Sequence, residues 1–154
     1  MLYVAYGSNM NLDQIAYRCH NSKIVGTGKL PGWNLVFNVH ADIIESNDAN
    51  AMVPVVIWDI ADDDWNYLDM YEGYPSYYVK LNVDVKFDDG RNDVAVVYVM
   101  ADNRKGICPP SSGYFDGIVS GYIANGIDVE YLYDALDHSF NNMTEYNQYN
   151  VRSA

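Results

Sequence analysis

Glu72 is the residue of this chain whose surroundings best suit acid–base chemistry. It ends the segment LDMYE at residues 68–72, and Gly73 follows it as a helix-terminating residue. A carboxylate is disfavoured at the negative end of a helix dipole, and aromatic, partly dry surroundings also penalise its charge. We therefore expect a raised pKa for Glu72, as a general base working near neutral pH requires. The alternative is a partly exposed surface glutamate without a chemical role.

The segment YGSN at residues 6–9 could supply hydrogen-bond donors to an anion. It follows the apolar run LYVA at residues 2–5, which is typical of a buried strand, and the strand ends abruptly at Gly7. Backbone N–H groups in such a turn can bind an anion or an oxyanion. The alternative is an ordinary strand-to-helix turn. Ser8 lacks the Gly-x-Ser-x-Gly context of a nucleophilic serine, and no histidine is suggestively placed.

The elements that would position these residues are strands and helices in mixed order. Apolar and alternating patterns predict strands at residues 2–5, 23–30, 33–39, 53–60, 77–87 and 93–100. Capping residues and helical spacing predict helices at residues 12–18, 62–71, 112–125 and 129–139. The polar residues 42–50 are predicted to form a loop. The pattern indicates an α+β fold in which a small, mixed, β-barrel-like sheet is flanked by helices.

Three glycines lie on one stripe of the helix predicted at residues 112–125. Gly113, Gly117 and Gly121 are spaced four residues apart. Each glycine costs roughly 1 kcal/mol of helix propensity. The stripe therefore predicts that this helix approaches another backbone closely.

Size and charge limit the class of protein. The chain has 154 residues, of which 49% are hydrophobic, so it can form one domain with a real core and is too short for two ordinary domains. We assign residues 1–140 to a single domain and residues 141–154 to a polar tail. The formal net charge of −12 disfavours nucleic acids and anionic membranes as partners.

The N-terminal segment and the cysteines indicate a cytoplasmic protein. The opening residues MLYVAYG have neither the basic region nor the long apolar core of a signal peptide. No segment approaches the ~20 apolar residues of a membrane helix. Cys19 and Cys108 are far apart and form no Cys-x-x-Cys motif, so we expect reduced thiols rather than a disulfide scaffold.

No pattern of ligands predicts a metal or cofactor site. His20, His40 and His138 are scattered, and two cysteines do not complete a zinc site with them. The acidic triplet at residues 62–64 is typical of a first helical turn, where the helix dipole favours carboxylates. We expect neither a metal nor an organic cofactor.

Several segments in the same order resemble the γ-glutamylcyclotransferase (AIG2-like) superfamily. YVAYGSN at residues 3–9 is similar to the opening motif of the family, and LDxxEG at residues 68–73 to its catalytic segment. Further similar segments lie at residues 56–60, at residues 78–83 with Lys80 replacing an arginine, and at residues 110–114 and 121–131. The resemblance covers about residues 2–136, nearly the whole chain.

The resemblance implies a barrel-like sheet with a pocket at the first turn. It gives Glu72 the role of proton acceptor. It also implies a substrate-binding set that consists of Tyr3, Tyr6, Gly7, Ser8, Asn9, Tyr78 and Tyr114. Whether Tyr77 or Tyr78 lines the pocket stays open. It also stays open whether the turn amides bind an oxyanion or a substrate carboxylate.

The implied reaction is an intramolecular cyclisation without a cofactor. The α-amine of a small γ-glutamyl substrate attacks its own γ-carbonyl, which releases 5-oxoproline and an amino acid or amine. The protein would act as a monomer or homodimer. The alternatives are a γ-glutamylamine cyclotransferase or a γ-glutamyl-deprotecting sibling, a non-catalytic ligand-binding member, and an interaction protein with a surface rich in its fifteen tyrosines. The presence of Glu72 argues against the non-catalytic member.

Overall fold

The strands in the computed structural model, which describes residues 1–143, form one closed barrel and one separate hairpin. The seven strands are β1 (Leu2–Ala5), β2 (Lys23–Pro31), β3 (Trp33–Asn38), β4 (His40–Glu45), β5 (Met52–Asp59), β6 (Tyr78–Phe87) and β7 (Asn92–Met100). The barrel has the order β1-β5-β2-β6-β7, and β7 closes it by pairing with β1. This last pair is parallel and the other neighbours are antiparallel, so the predicted mixed barrel is confirmed.

Within residues 1–143, four α-helices pack around the strands. They are α1 (Leu12–Arg18), α2 (Trp65–Glu72), α3 (Ser112–Ala124) and α4 (Glu130–Asn141). Short 3-10 turns precede α1 and α2, at Ser8–Met10 and Asp62–Asp64. α4 packs on β3, and α3 packs on the turn before α1. None of the helices formed by residues 1–143 has the length and apolar character needed to cross a bilayer.

Local signals explain where the helices begin and end. The Asn11 side chain accepts hydrogen bonds from the N–H groups of Asp13 and Gln14, which caps α1 as its sequence predicts. The Ser111 hydroxyl caps α3 in the same way. The predicted polar tail begins within the last turn of α4, and its residues 144–154 lie outside the described part of the chain.

The prediction of a loop over residues 42–50 is wrong at its beginning, because β4 pairs with β3 through Glu45. The polar residue Asp42 is fully buried in this strand. Its carboxylate accepts hydrogen bonds from the N–H of Met100, at 2.9 Å, and from Asn38 Nδ2, at 3.0 Å. Because Asn38 on β3 and Met100 on β7 satisfy the carboxylate, a polar residue can occupy an interior strand position.

Strands β2 and β6 approach each other closely at Gly28. Gly28 pairs with Phe87 there. A Cβ atom at Gly28 would lie 2.5 Å from the Lys86 carbonyl oxygen and 3.0 Å from Ile57 Cδ1. The absence of a side chain at Gly28 is therefore a condition for these two strands to pair.

The glycine stripe of α3 approaches another backbone at one of its three positions. A Cβ atom on Gly121 would lie 3.1 Å from the Met10 carbonyl carbon and 3.1 Å from the Asn11 nitrogen. Gly117 would gain an ordinary contact of 3.7 Å with Gln14. Gly113 has open space around it. The predicted close approach is therefore confirmed at Gly121 and wrong at Gly113.

We expect Gly121→Leu to destabilise the fold by about 1–3 kcal/mol, because the side chain would overpack the Met10–Asn11 backbone. Gly117→Ala is the matched control on the same helix, where removal of a glycine should be neutral or stabilising by up to about 1 kcal/mol. Urea unfolding of both variants measures the difference. A larger free energy of unfolding for Gly121→Leu than for the wild type would contradict the close packing.

Candidate active site

A cavity of about 340 Å³ lies where the end of β1 meets the end of α2 and the start of β6. Its lining consists of Tyr3, Tyr6, Gly7, Ser8, Asn9, His40, Ala41, Tyr71, Glu72, Gly73, Tyr77, Tyr78, Tyr98 and Tyr114. Every residue that the sequence suggested for catalysis or substrate binding is in this set. The structure therefore brings those residues together, and their chemical roles stay predictions.

Glu72 reaches the cavity because α2 ends there. Gly73 adopts a left-handed conformation with φ of 64°, and its N–H bonds back to the Met70 carbonyl at 3.2 Å, which terminates the helix. Glu72 Oε1 accepts a hydrogen bond from Asn9 Nδ2 at 3.3 Å. Burial raises the pKa of Glu72 to about 7, and the positive charge of Arg18 opposes part of this rise. This agrees with the expected raised pKa.

Asp69, one turn before Glu72, links α2 to strands β6 and β7 of the barrel. Lys80 Nζ on β6 forms an ion pair with its carboxylate at 3.0 Å. The Tyr98 hydroxyl on β7 donates a hydrogen bond to the same carboxylate. Lys80 thus places a cation against Asp69. These contacts hold the end of α2, and with it Glu72, over the cavity.

Asn9 joins Glu72 to a cation from α1. Its Nδ2 donates to both the Glu72 carboxylate and the Tyr3 hydroxyl, and its Oδ1 accepts a hydrogen bond from Arg18. The Arg18 guanidinium also bonds Gln14 at 2.8 Å and lies 3.3 Å from the centre of the Tyr71 ring. Sequence reasoning missed Arg18, because no local pattern relates α1 to the end of α2.

The turn at residues 7–9 forms one wall of the cavity. Its 3-10 geometry is fixed by the N–H of Met10 bonding the Gly7 carbonyl at 3.1 Å. A Cβ atom on Gly7 would lie 3.3 Å from Ala41 Cβ and 3.5 Å from the Tyr114 hydroxyl, so the glycine keeps this side open. The Ser8 hydroxyl lies 3.0 Å from the Tyr71 hydroxyl. The first N–H groups of such a turn have no partner within it.

Three tyrosine hydroxyls of the cavity lining are held in place by hydrogen bonds to backbone groups. Tyr6 donates to the Tyr98 carbonyl at 2.6 Å, and Tyr78 donates to the Ala41 carbonyl at 2.8 Å. The Tyr114 hydroxyl instead accepts from the Ala41 N–H at 2.9 Å, so its own hydrogen can point into the cavity. Burial raises the pKa of Tyr6, Tyr78 and Tyr114, which keeps these phenols protonated.

Tyr77 and Tyr78 both line the cavity but occupy different depths. Tyr78 is buried in the wall, whereas Tyr77 lies at the rim, where its hydroxyl is 2.9 Å from His40 Nδ1. Sequence reasoning also missed His40, Tyr71, Gly73 and Tyr98. His40 and Ala41 begin a strand that the sequence did not predict, so nothing in the chain pattern pointed to them.

The cavity contains a single acidic side chain, Glu72, among its lining residues. Within residues 1–143, no group of three or more His, Cys, Asp or Glu side chains is placed to hold a metal ion. The chemistry available to the lining residues is proton transfer by Glu72 together with hydrogen bonding by phenols and backbone N–H groups.

Comparison with known proteins identifies one family and several similar structures. The model of the family "Gamma-glutamyl cyclotransferase, AIG2-like" matches residues 3–117. A solved structure described as gamma-glutamyl cyclotransferase superposes with a TM-score of 0.74 at 23% identity, over 99% of this chain and 98% of its own. An uncharacterized protein from Homo sapiens gives 0.75 at 27% identity, over 87% and 85%. YkqA from Bacillus subtilis gives 0.73 at 22% identity, over 93% and 55%. No curated protein matches the sequence.

Proposed function

Because the chain belongs to the gamma-glutamyl cyclotransferase, AIG2-like family, we propose that it cyclises a small γ-glutamyl substrate. The products are 5-oxoproline and a free amino acid or amine. The observation that carries the proposal is Glu72, a carboxyl group with a pKa of about 7 in a tyrosine-lined cavity. Such a group exists in both protonation states at neutral pH, so it can take up a proton and return it within one turnover.

Glu72 acts on the nitrogen atoms of the substrate. It accepts a proton from the α-ammonium group, and the freed amine attacks the γ-carbonyl carbon to form a five-membered ring. The bond from that carbon to the leaving nitrogen then breaks. Protons lost by the attacking nitrogen end on the leaving nitrogen, so the Glu72 carboxylate is regenerated. Because both reacting groups belong to one molecule, holding it folded supplies up to ~7–11 kcal/mol of the barrier reduction.

The walls of the cavity stabilise charge that develops on the γ-carbonyl oxygen. The Tyr114 hydroxyl has a hydrogen to donate, because its oxygen accepts from the Ala41 N–H. The turn at residues 7–9 offers N–H groups for the same oxygen or for the substrate α-carboxylate. Asn9 keeps the Glu72 carboxylate oriented from the other side.

A substrate screen tests the proposal. The purified protein is incubated with γ-glutamyl amino acids, γ-glutamylamines and glutathione in buffer with EDTA, and 5-oxoproline release is measured. We expect release from at least one class of substrate. Binding of these compounds without 5-oxoproline would identify a ligand-binding member instead. The absence of both binding and turnover with all of these compounds would contradict the proposal.

We expect Arg18→Met to move the ascending limb of the pH profile of kcat/KM to higher pH. Removing the guanidinium removes the charge that lowers the pKa of Glu72, so more of the carboxyl stays protonated at a given pH. The position of the limb is the readout, because the lost Asn9 contact lowers the rate at every pH. Arg91→Met, an exposed arginine stacked on Phe87 in the β6–β7 turn, is the matched control. An unshifted limb in Arg18→Met would show that Arg18 does not act on Glu72.

A further inference from the structure

Asp42 is a buried carboxylate for which the proposed reaction has no role. It lies on β4, directly after Ala41, which lines the cavity. The Met100 N–H and Asn38 Nδ2 that bond it are both donors, so the ionised, acceptor-only form of the side chain matches its partners. An apolar residue at this position would avoid the cost of burying a charge. The carboxylate therefore points to a role other than stability.

The neighbouring residue, Ala41, joins β4 to two tyrosines of the cavity. Its N–H donates to the Tyr114 hydroxyl at 2.9 Å, and its carbonyl accepts from the Tyr78 hydroxyl at 2.8 Å. The hydrogen of Tyr78 is therefore used, whereas the Tyr114 oxygen acts as an acceptor and can donate its hydrogen to a substrate. The direction of the Tyr114 donor thus depends on where β4 places the N–H of Ala41.

The Asp42 carboxylate fixes β4 against the part of the barrel that carries Tyr78. Met100, whose N–H bonds one carboxylate oxygen, is the last residue of β7 and pairs with Tyr78 on β6. The other oxygen bonds Asn38 on β3, whose Oδ1 accepts from the Gly106 N–H at 3.3 Å. The carboxylate thus links both strands of the hairpin to β7 and to the segment that follows it.

The turn between β3 and β4 is strained, and neighbouring backbone holds it. Asn38 pairs with His40, so Val39 alone makes the turn, with φ of 67°. A β-branched residue rarely adopts this left-handed conformation, which persists only where the surrounding structure imposes it. The Val39 N–H bonds the Cys108 carbonyl at 2.9 Å, and the Cys108 N–H bonds the Phe37 carbonyl at 3.1 Å. The hairpin is thus held in one conformation directly before the cavity residues of β4.

We propose that Asp42 is a positioning residue, which holds β4 so that the Ala41 N–H keeps the Tyr114 hydroxyl directed at the γ-carbonyl oxygen of the substrate. Asp42 is fully buried and is not among the residues that line the cavity, so it acts through Ala41 and Tyr114. This inference rests on the proposed cyclotransferase function, in which Tyr114 stabilises the charge that develops on that oxygen.

Asp42→Asn changes the carboxylate with little change in shape but cannot keep all of its hydrogen bonds. An amide that accepts from the Met100 N–H turns its own NH2 group toward the NH2 group of Asn38. If Asn38 rotates to accept from that NH2 group, it presents its own NH2 group to the Gly106 N–H. One contact between the hairpin and β7 or the following segment is lost in either case.

A double-mutant cycle with Tyr114→Phe tests the inference on a substrate that the wild type converts to 5-oxoproline. We expect Tyr114→Phe to lower kcat about 10²–10³-fold, which is the loss for one donor to a developing oxyanion. Asp42→Asn should lower kcat at least about tenfold with little change in KM, because a misplaced donor loses much of its contribution. In the Tyr114→Phe background, Asp42→Asn should lower kcat by less than about twofold, since the donor that it positions is already absent.

Asp64→Asn is the matched control, because Asp64 is also a buried carboxylate with two donors, the N–H of Asn21 and the hydroxyl of Ser22, and lies outside the cavity lining. It should change kcat by less than about twofold, and by the same factor with and without Tyr114→Phe. Urea unfolding shows whether each variant is folded. If Asp42→Asn has no cooperative transition, Asn38→Ala, which removes one partner of the carboxylate, takes its place in the cycle.

Two results would disprove the positioning role and leave the cyclotransferase function standing. One is a folded Asp42→Asn with the wild-type kcat. The other is a fall in kcat of the same factor in the wild-type and Tyr114→Phe backgrounds, which would show that Asp42 does not act through Tyr114. If the wild type releases no 5-oxoproline from any compound of the screen, the proposed function itself fails, and this inference fails with it.

Discussion

We expect Glu72→Gln to lower kcat by about 10²–10⁴ while substrate binding changes little. The amide keeps the shape of the side chain and can still bond Asn9, but it cannot accept the proton of the α-ammonium group. Loss of a general base alone accounts for a rate reduction of this size. The wild-type profile of kcat/KM should rise with pH through about 7, following the pKa of Glu72, and this limb should be absent from the variant.

Asp63→Asn is the control for this prediction, because Asp63 is an exposed acidic residue before α2. Asp64 would be a poor control, since its buried carboxylate accepts hydrogen bonds from the N–H of Asn21 and the hydroxyl of Ser22. Turnover by Glu72→Gln above about a tenth of the wild-type value would rule out general-base catalysis by Glu72.

Thermal unfolding at two pH values tests whether Glu72→Gln is folded. Glu72 has a folded pKa of about 7, above the unfolded value of 4.5, so the folded state binds more protons between these pH values. Wild-type stability contributed by this group therefore falls as pH rises through that window. A glutamine side chain does not titrate, so residue 72 should not make the stability of Glu72→Gln depend on pH. The variant should equal or exceed the wild-type melting temperature at pH 8.

Gly28→Ala should destabilise the barrel by about 3 kcal/mol. Its Cβ atom would lie 2.5 Å from the Lys86 carbonyl oxygen, and backbone cannot move aside by a change of rotamer. Strands β2 and β6 must then separate, where Gly28 pairs with Phe87. Chemical denaturation measures the change in the free energy of unfolding.

Gly26→Ala is the matched control for Gly28→Ala. It lies on the same strand, and a Cβ atom there would meet Phe87 Cδ1 at an ordinary 3.9 Å. The control should change stability by less than about 1 kcal/mol. Equal free energies of unfolding for the two alanine variants would show that β2 and β6 are not held at this separation.

The framework could be predicted because its signals are local. The Asp-Gly pair within residues 88–91 is a local turn signal between β6 and β7, and Asn11 is a local capping signal at the start of α1. β4 could not be predicted, because one partner of the buried Asp42 carboxylate, the N–H of Met100, lies 58 residues away along the chain. Sequence patterns report on the neighbours of a residue within its own strand or helix, whereas the Asp42 carboxylate is satisfied by residues of other strands.

The residues of the site also divide into those that have a local sequence signal and those that do not. Glu72 and the turn at residues 7–9 have features that are visible locally, namely a helix end and a strand end. Arg18, His40 and Tyr98 act on the cavity from other elements. Their positions follow from barrel closure and hairpin placement, for which a single sequence contains no direct signal. The glycine stripe shows the same limit, since spacing could not tell which glycine meets a backbone.

Because β1 pairs with β7, the cavity can form only after the whole barrel has folded, and any activity at this site reports that folding is complete. The Tyr6 hydroxyl bonds the Tyr98 carbonyl, 92 residues further along the chain, and β1 pairs directly with β7. The first strand must therefore wait during synthesis until the last strand has left the ribosome before the cavity can form. Contacts of such long range slow the folding of small domains. A half-made chain has Glu72 and the turn at residues 7–9 but no enclosed site, so premature turnover by nascent chains is not expected.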